Sequence, residues 1–211
     1  MATNMDADGG VTRDELLQRV ALMESMISEG RRTTARFGWL FVLWGMADLI
    51  GMVWQWNQQN NKWIWPVTIG SAMVLQFIGL ALLRRESKSC SPKSMQCRSI
   101  EAVWGMMGLT VSLYCAAAIV HNSTWQVAYI SAILMFIGLA HAISALVLRW
   151  KAQGVVAALW WLGGIAAFYV SGVALYALVV GEMFIGLVAF GLYAMLLERR
   201  RDGGRAVPQH A

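Results

Sequence analysis

Along this chain, continuous apolar runs of roughly twenty residues alternate with short polar or basic segments. A helix rises 1.5 Å per residue and crosses the ~30 Å hydrocarbon core of a bilayer in about 20 residues. Lipid offers backbone groups no hydrogen-bond partner, so only helices and closed barrels span it. Barrel strands would alternate apolar and polar positions over about ten residues, whereas these runs are unbroken. The pattern predicts six membrane helices, at about 37–56, 63–83, 100–120, 125–148, 154–175 and 179–197. The last boundary is the least marked, because Glu182 is the one charged residue between Gly154 and Leu197. The turn is expected near Ser171-Gly172 or near Gly181-Glu182, with a place between the two preferred.

Ahead of the first run the period changes. Residues 1–10 are small and polar and are expected to be disordered, and 11–36 form an amphipathic helix with a basic linker. In "TRDE", Thr12 and Glu15 have the spacing of a capping box. Leu16, Val20, Met23 and Ile27 follow at spacings of 4, 3 and 4, one face of a helix from about 13 to 29 that Gly30 closes. Such a face suits the inner leaflet, the bundle, or a second copy paired over two short heptads. No apolar stretch followed by a cleavage site precedes the first run, so that span is expected to direct insertion and to be retained.

The runs repeat their wording. "FIGLA" stands at 77–81 and 136–140, and "FIGLV" at 184–188; "LWGMADLIG", "VWGMMGLTV" and "LWWLGGIAA" occupy the preceding runs. The unit this suggests is a helical hairpin, present three times at about 37–83, 100–148 and 154–197. Repeats of one topology imply a pseudo-threefold axis along the membrane normal. Gly79, Gly138 and Gly186 lie within the repeated words. The pairs Ala47/Gly51, Gly108/Ser112 and Gly163/Ala167 show the small-residue spacing by which membrane helices approach one another.

Composition agrees with a membrane chain: 58% of residues are hydrophobic and 14% charged, with a mean hydropathy of +0.52. The net charge of +5 reads as an orientation signal rather than a nucleic-acid footprint. Sixteen of the 17 Lys and Arg residues fall on one side of a six-span arrangement, and Lys62 alone falls on the other. That side is expected to be cytoplasmic, with both termini on it, in a plasma or inner membrane, and 199–211 as a basic tail. Trp54, Trp56, Trp63, Trp65, Trp125 and Tyr129 flank the outer connections as belt residues. The expected partners are the bilayer, anionic headgroups at the basic face, and another membrane protein or a second copy. No nucleic acid is expected.

Four polar residues inside the runs carry the candidate chemistry: Asp48, Gln76, His141 and Glu182. An Asp at a span centre costs about 2.5–3.5 kcal/mol, which the eight Leu, Ile, Phe and Val residues between Phe37 and Val53 offset at about 0.3–0.6 each. Asp48 stands where the other two units carry Gly108 and Gly164, so it departs from the repeat. It serves either as a hydrogen-bonded tie between spans or as a proton or cation site. His141 has no second His one turn away, as a metal pair would need; it reads either as a hydrogen-bonded core histidine or, more sharply, as a relay with Asp48. Gln76 suits an interhelical bond, and Glu182 is expected to stay wet at the outer turn. Cys90 and Cys97 are placed in a reducing loop, Cys115 as apolar filler, and Asn122–Thr124 forms a sequon hard against the membrane. No metalloprotease, phosphate-loop or nucleophile-elbow motif is present. The pattern predicts an all-α six-helix membrane bundle without cofactor or metal. Its expected role is non-enzymatic, as a scaffolding or regulatory component of a membrane complex. A small transporter or channel with a site near Asp48 comes second, and an intramembrane enzyme third.

Overall fold

The computed structural model describes residues 13–58, 61, 63–86, 95–120 and 127–205. The first ten residues, Thr12, Cys90 and the Asn122–Thr124 sequon lie outside them. The described secondary structure is all helical. In chain order it comprises α1 (Arg13–Arg36), α2 (Gly38–Asn57), α3 (Ile64–Glu86), α4 (Met95–Val120), α5 (Val127–Leu148), α6 (Lys151–Ala166), α7 (Gly172–Met183), a π-helical segment (Phe184–Ala189) and α8 (Phe190–Arg205).

Among the described residues five stretches are long and apolar enough to cross a membrane: Gly38–Asn57, Ile64–Leu82, Arg98–Ala118, Val127–Leu148 and the continuous Gly172–Arg200. A sixth expected span, at 154–175, is cut short. Its helix, α6, has 16 residues, roughly 24 Å at 1.5 Å per residue. The chain breaks after Ala166, where Phe168 and Tyr169 donate turn bonds to the carbonyls of Ile165 and Ala166. Ser171 is extended at φ −145°, and Gly172 takes φ +57°, a left-handed conformation that favours glycine. The turn thus lies just before Gly172, and the last span starts there rather than near 179. At the other end of the third run, α4 begins at Met95, so Cys97 sits in a helix rather than in a loop.

The core forms where α2, α5, α6 and the last span meet. Phe41, Leu134, Leu148, Trp150, Trp160, Leu187 and Phe190 belong to one buried cluster. α5 and α6 pack closely along their length, α2 packs on α3, the π-helical segment and α8, and α4 packs on α5. Glycines make the closest approaches possible. A Cβ at Gly45 would stand 2.8 Å from Leu187 Cβ and from Val188 Cγ2, and one at Gly191 would stand 2.6 Å from the Gly38 carbonyl oxygen. The π turn widens the face that the last span buries, so Gly186, Leu187 and Val188 are all buried in succession. Gly186 meets Trp160 on α6 while Leu187 and Val188 meet Gly45 on α2. One helix is thereby gripped from two sides.

The three copies of the repeated word share a contact and differ in backbone. Gly79 faces the Trp39 indole, Gly138 the Trp161 indole, and Gly186 the Trp160 indole. The first two copies lie in regular α-helix, in α3 and α5, whereas the third opens the π-helical segment.

At the far end of α5 the chain reverses through a two-bond C-terminal motif. Trp150 N–H donates to the Ala145 carbonyl at 3.0 Å and Arg149 N–H to the Leu146 carbonyl at 3.4 Å, with Arg149 at φ +48°. Arg31 on α1 completes this end. Its Nε donates to the Leu148 carbonyl at 2.6 Å and its Nη2 to the Arg149 carbonyl at 2.5 Å. Carbonyls at a helix end lack intrahelical donors, so one guanidinium both satisfies them and ties α1 to the bundle. Beyond this tie, every residue from Arg13 to Ser25 is exposed.

Candidate functional site

His141 is the most enclosed of the four polar candidates. It sits on α5 with no exposed surface, beside Ser144, which is also fully buried. Three elements bring rings against it. Phe41 from α2 stacks at 5.6 Å and 27°, Trp104 from α4 meets it edge-on at 4.9 Å, and Phe190 from α8 meets it edge-on at 5.3 Å. Trp104 Nε1 donates to Ser144 Oγ at 3.1 Å, which fixes the indole across the imidazole. Among the described residues neither imidazole nitrogen has a hydrogen-bond partner. The surroundings are aromatic and neutral, so His141 acts as a ring in a packed aromatic box.

The other three candidates lie elsewhere. Gln76 on α3 accepts from Trp44 Nε1 on α2 at 2.7 Å, an interhelical bond of the expected kind. Asp48 lies on the α2 stripe that includes the buried Phe41, Gly45 and Met52, and is itself part-buried. It is within electrostatic range of Tyr129 on α5. Among the described residues no hydrogen bond joins it to His141, Gln76 or any hydroxyl, so the Asp48–His141 relay has no direct link. Glu182 departs from its expected place at the outer turn. The turn lies ten residues earlier in the chain, at Gly172, and Glu182 stands within α7 with its carboxylate packed on Gly163 of α6. A Cβ there would be 2.5 Å from Oε1. The small residue on α6 makes the slot that the carboxylate occupies.

Several buried polar groups escape a reading by runs alone. Gln153 and Trp160 on α6 are fully buried, and the Gln153 amide and Trp160 Nε1 have no partner. Gln153 falls just before the expected start of the fifth span and so reads as a loop residue. The spacing Trp150, Gln153, Val156, Trp160, at 3, 3 and 4, is the signal that extends the buried face back to Trp150. Ser131 Oγ donates to the Gly164 carbonyl at 2.7 Å, a further bond across the α5–α6 contact.

Among the described residues no group of three His, Cys, Asp or Glu gathers as metal ligands would. An open, almost wholly apolar groove of about 420 Å³ runs along the C-terminal half of α2, lined by Met46, Leu49, Ile50, Val53 and Trp54. Known families, characterised proteins and solved structures give no match to this chain. Its function is therefore argued from its own surfaces.

Exposure is uneven across those surfaces. Only 6% of the α4 span and 17% of the α3 span are buried within the protein, against 39% for α5. Glycines divide in the same way. A side chain at Gly45, Gly138, Gly163 or Gly186 would collide with a neighbour, whereas Gly70 on α3 and Gly105 and Gly108 on α4 have open space. Ser112 and Ala116, one and two turns beyond Gly108, are exposed too.

Proposed function

We propose that this chain is a non-enzymatic membrane scaffold that docks another membrane protein along α3 and α4. The observation that carries the reading is the open Gly105, Gly108, Ser112 and Ala116 face of α4. Membrane helices associate by close backbone approach at small residues. The interior glycines of this chain already serve that purpose, and those of α4 are free to serve it for a partner. The dispersal of Asp48, Gln76, His141 and Glu182 favours a scaffold over a transporter, whose polar groups converge near the midplane.

In this reading the bundle has six spans in three hairpins about a pseudo-threefold axis, with α6 crossing as a short span where the bilayer thins locally. Exposed Phe168 and Tyr169 at its end suit the outer aromatic belt. Both termini are cytoplasmic, in a plasma or inner membrane, where the basic connections meet anionic headgroups. The topology is tested in a chain with Cys90, Cys97 and Cys115 replaced. Cysteines at Asn60 and Ser123 should label from outside, and those at Ser94 and Gly203 from inside. Labelling of Ser94→Cys from outside in intact cells would contradict the arrangement.

Docking is tested by placing photo-crosslinking residues at Leu109 and Leu113 on α4 in native membranes. A defined protein adduct is expected, and Gly108→Leu with Ser112→Leu should abolish it without lowering thermal stability. Adducts to lipid alone would overturn the scaffold. One observation favours the second reading, a small transporter: Asp48 is a carboxylate in a span with no hydrogen-bond partner among the described residues. Loss of cellular function in a stably folded Asp48→Asn protein would select it.

A further inference from the structure

The exposed half of α1 lies outside the α3–α4 docking face and carries a different kind of surface. From Arg13 to Ser25 every residue is exposed, and Leu16, Leu17, Val20, Leu22 and Met23 are 51–62% exposed. Leu16, Val20, Met23 and the part-buried Ile27 follow the 4-3-4 spacing of a coiled-coil seam. In heptad terms Val20 and Ile27 occupy a positions, and Leu16 and Met23 occupy d positions. β-Branched residues at a with leucine at d favour two parallel strands, and Leu16 holds one of the two d positions.

The charges make the choice of occupant. With Val20 at a, Arg19 falls at g and Glu24 at e, five residues later. That is the separation at which g of one strand meets e of the other in a parallel pair. In a symmetric dimer the contact forms twice. An antiparallel pair would instead set Arg19 against Arg19 and Glu24 against Glu24, which repel. A lipid surface matches the charges less well. A helix lying on an anionic leaflet has a polar face rich in Lys and Arg, whereas the exposed half of α1 sets Asp14, Glu15 and Glu24 against Arg13 and Arg19, the other three arginines lying beyond it at 31, 32 and 36. Leu17, at e, flanks the seam; Leu22, at c, lies off it.

We propose that the free half of α1 is a self-association element, which pairs in parallel with α1 of a second copy through Leu16, Val20 and Met23 and the reciprocal Arg19–Glu24 contacts. Two heptads are too short to hold together as free peptides. Here each strand is tied to its bundle through Arg31, and confinement of both copies to one membrane raises their effective concentration. In the single copy Arg19 pairs with Glu15 at 2.6 Å, an exposed contact of small worth, which dimerisation exchanges for the contact to Glu24.

The test uses the full chain in membranes, with Cys90, Cys97 and Cys115 replaced and one cysteine added to α1. In a parallel, in-register pair each a residue meets its own copy. Oxidation should therefore link Val20→Cys efficiently, whereas Ser25→Cys, at the outward f position, should stay monomeric. Arg19→Glu and Glu24→Arg should each diminish the Val20→Cys link, and the two together should restore it. Equal linking at Val20 and Ser25, or no recovery in the double charge swap, would overturn the proposal. A spin label at Val20 that is quenched by lipid-soluble oxygen, without linking, would overturn it in favour of the leaflet. All these positions are exposed, so thermal stability should not change.

Discussion

Trp160 on α6 seats its indole against the backbone of Gly186, and any side chain at that glycine would collide with the ring. The contact sits at the start of the π-helical segment, and Gly45 of α2 closes the opposite side against Leu187 and Val188. A regular α-helix would turn one of these faces away. The π turn presents both, and the fit then depends on Gly186 having no side chain.

Gly186→Ala should therefore destabilise the protein by about 1–3 kcal/mol, the usual cost of overpacking a filled core. Gly181→Ala, one turn earlier and with open space around it, should be neutral or should stabilise by up to about 1 kcal/mol through helix propensity. Thermal unfolding of both variants in the same detergent makes the comparison. Equal effects would mean that Trp160 moves aside freely.

The end of α5 supplies an opposed pair of expectations. Arg149 holds φ +48° in a C-terminal motif that usually carries glycine. Arg149→Gly should stabilise by about 0.5–1 kcal/mol, because the left-handed conformation costs glycine nothing. Arg31→Ala removes both bonds to the Leu148 and Arg149 carbonyls and should cost about 1–3 kcal/mol, as hydrogen bonds from a charged donor do. It should also loosen α1 from the bundle, so limited proteolysis near Arg31 should quicken in this variant and remain slow in Arg149→Gly.

The helices and the five long spans were legible because apolar runs of bilayer length leave the backbone one choice. The α1 helix was legible because its period is clean over four apolar positions, but Gly30 does not close it: the helix runs on to Arg36. The turn at 167–171 was legible only as one of two alternatives, since apolar residues continue through it and the break depends on the conformations of Ser171 and Gly172. Glu182 read as a loop residue for the same reason: a charge in an apolar run looks like a boundary until a partner such as Gly163 makes room for it. Nor does a sequence period reveal a π turn six residues long, because the stripes on either side still look helical. The repeated glycines read correctly as contact points, but nothing in the wording shows that each receives a tryptophan.

His141 brings two partnerless nitrogens into an aromatic box. Leaving such a group unpaired costs about 1–3 kcal/mol, whereas the ring contacts contribute about 0.5–1.5 each. Three ring contacts and two unpaired nitrogens oppose each other at similar size, so His141→Leu should change stability by no more than about 2 kcal/mol in either direction. A loss above about 2 kcal/mol in denaturant titrations would show that the imidazole is hydrogen-bonded, with an internal water as the simplest partner. His141→Phe, which keeps the stack on Phe41, should fall on the stable side of His141→Leu if ring contact dominates.

Asp48 separates stability from use. As a tie between spans it would need a donor, and among the described residues the structure gives it none. A carboxylate placed there costs about 2.5–3.5 kcal/mol on insertion scales, and leucine returns about 0.3–0.6. Its exposed part meets hydrocarbon rather than water, so the relief comes only from the unfolded chain in the membrane bearing part of the same cost. Asp48→Leu should thus raise stability by about 1–3 kcal/mol, and Asp48→Asn, which keeps the shape without the charge, should raise it by less. Thermal unfolding of both variants, with membrane insertion checked alongside, gives the measurement. A lower Tm for Asp48→Leu would mean that the carboxylate does bind a neighbour. A higher Tm with intact partner docking would leave Asp48 without a role in the scaffold, whereas a higher Tm with lost cellular function would mark it as a residue kept for protons or cations at the expense of the fold.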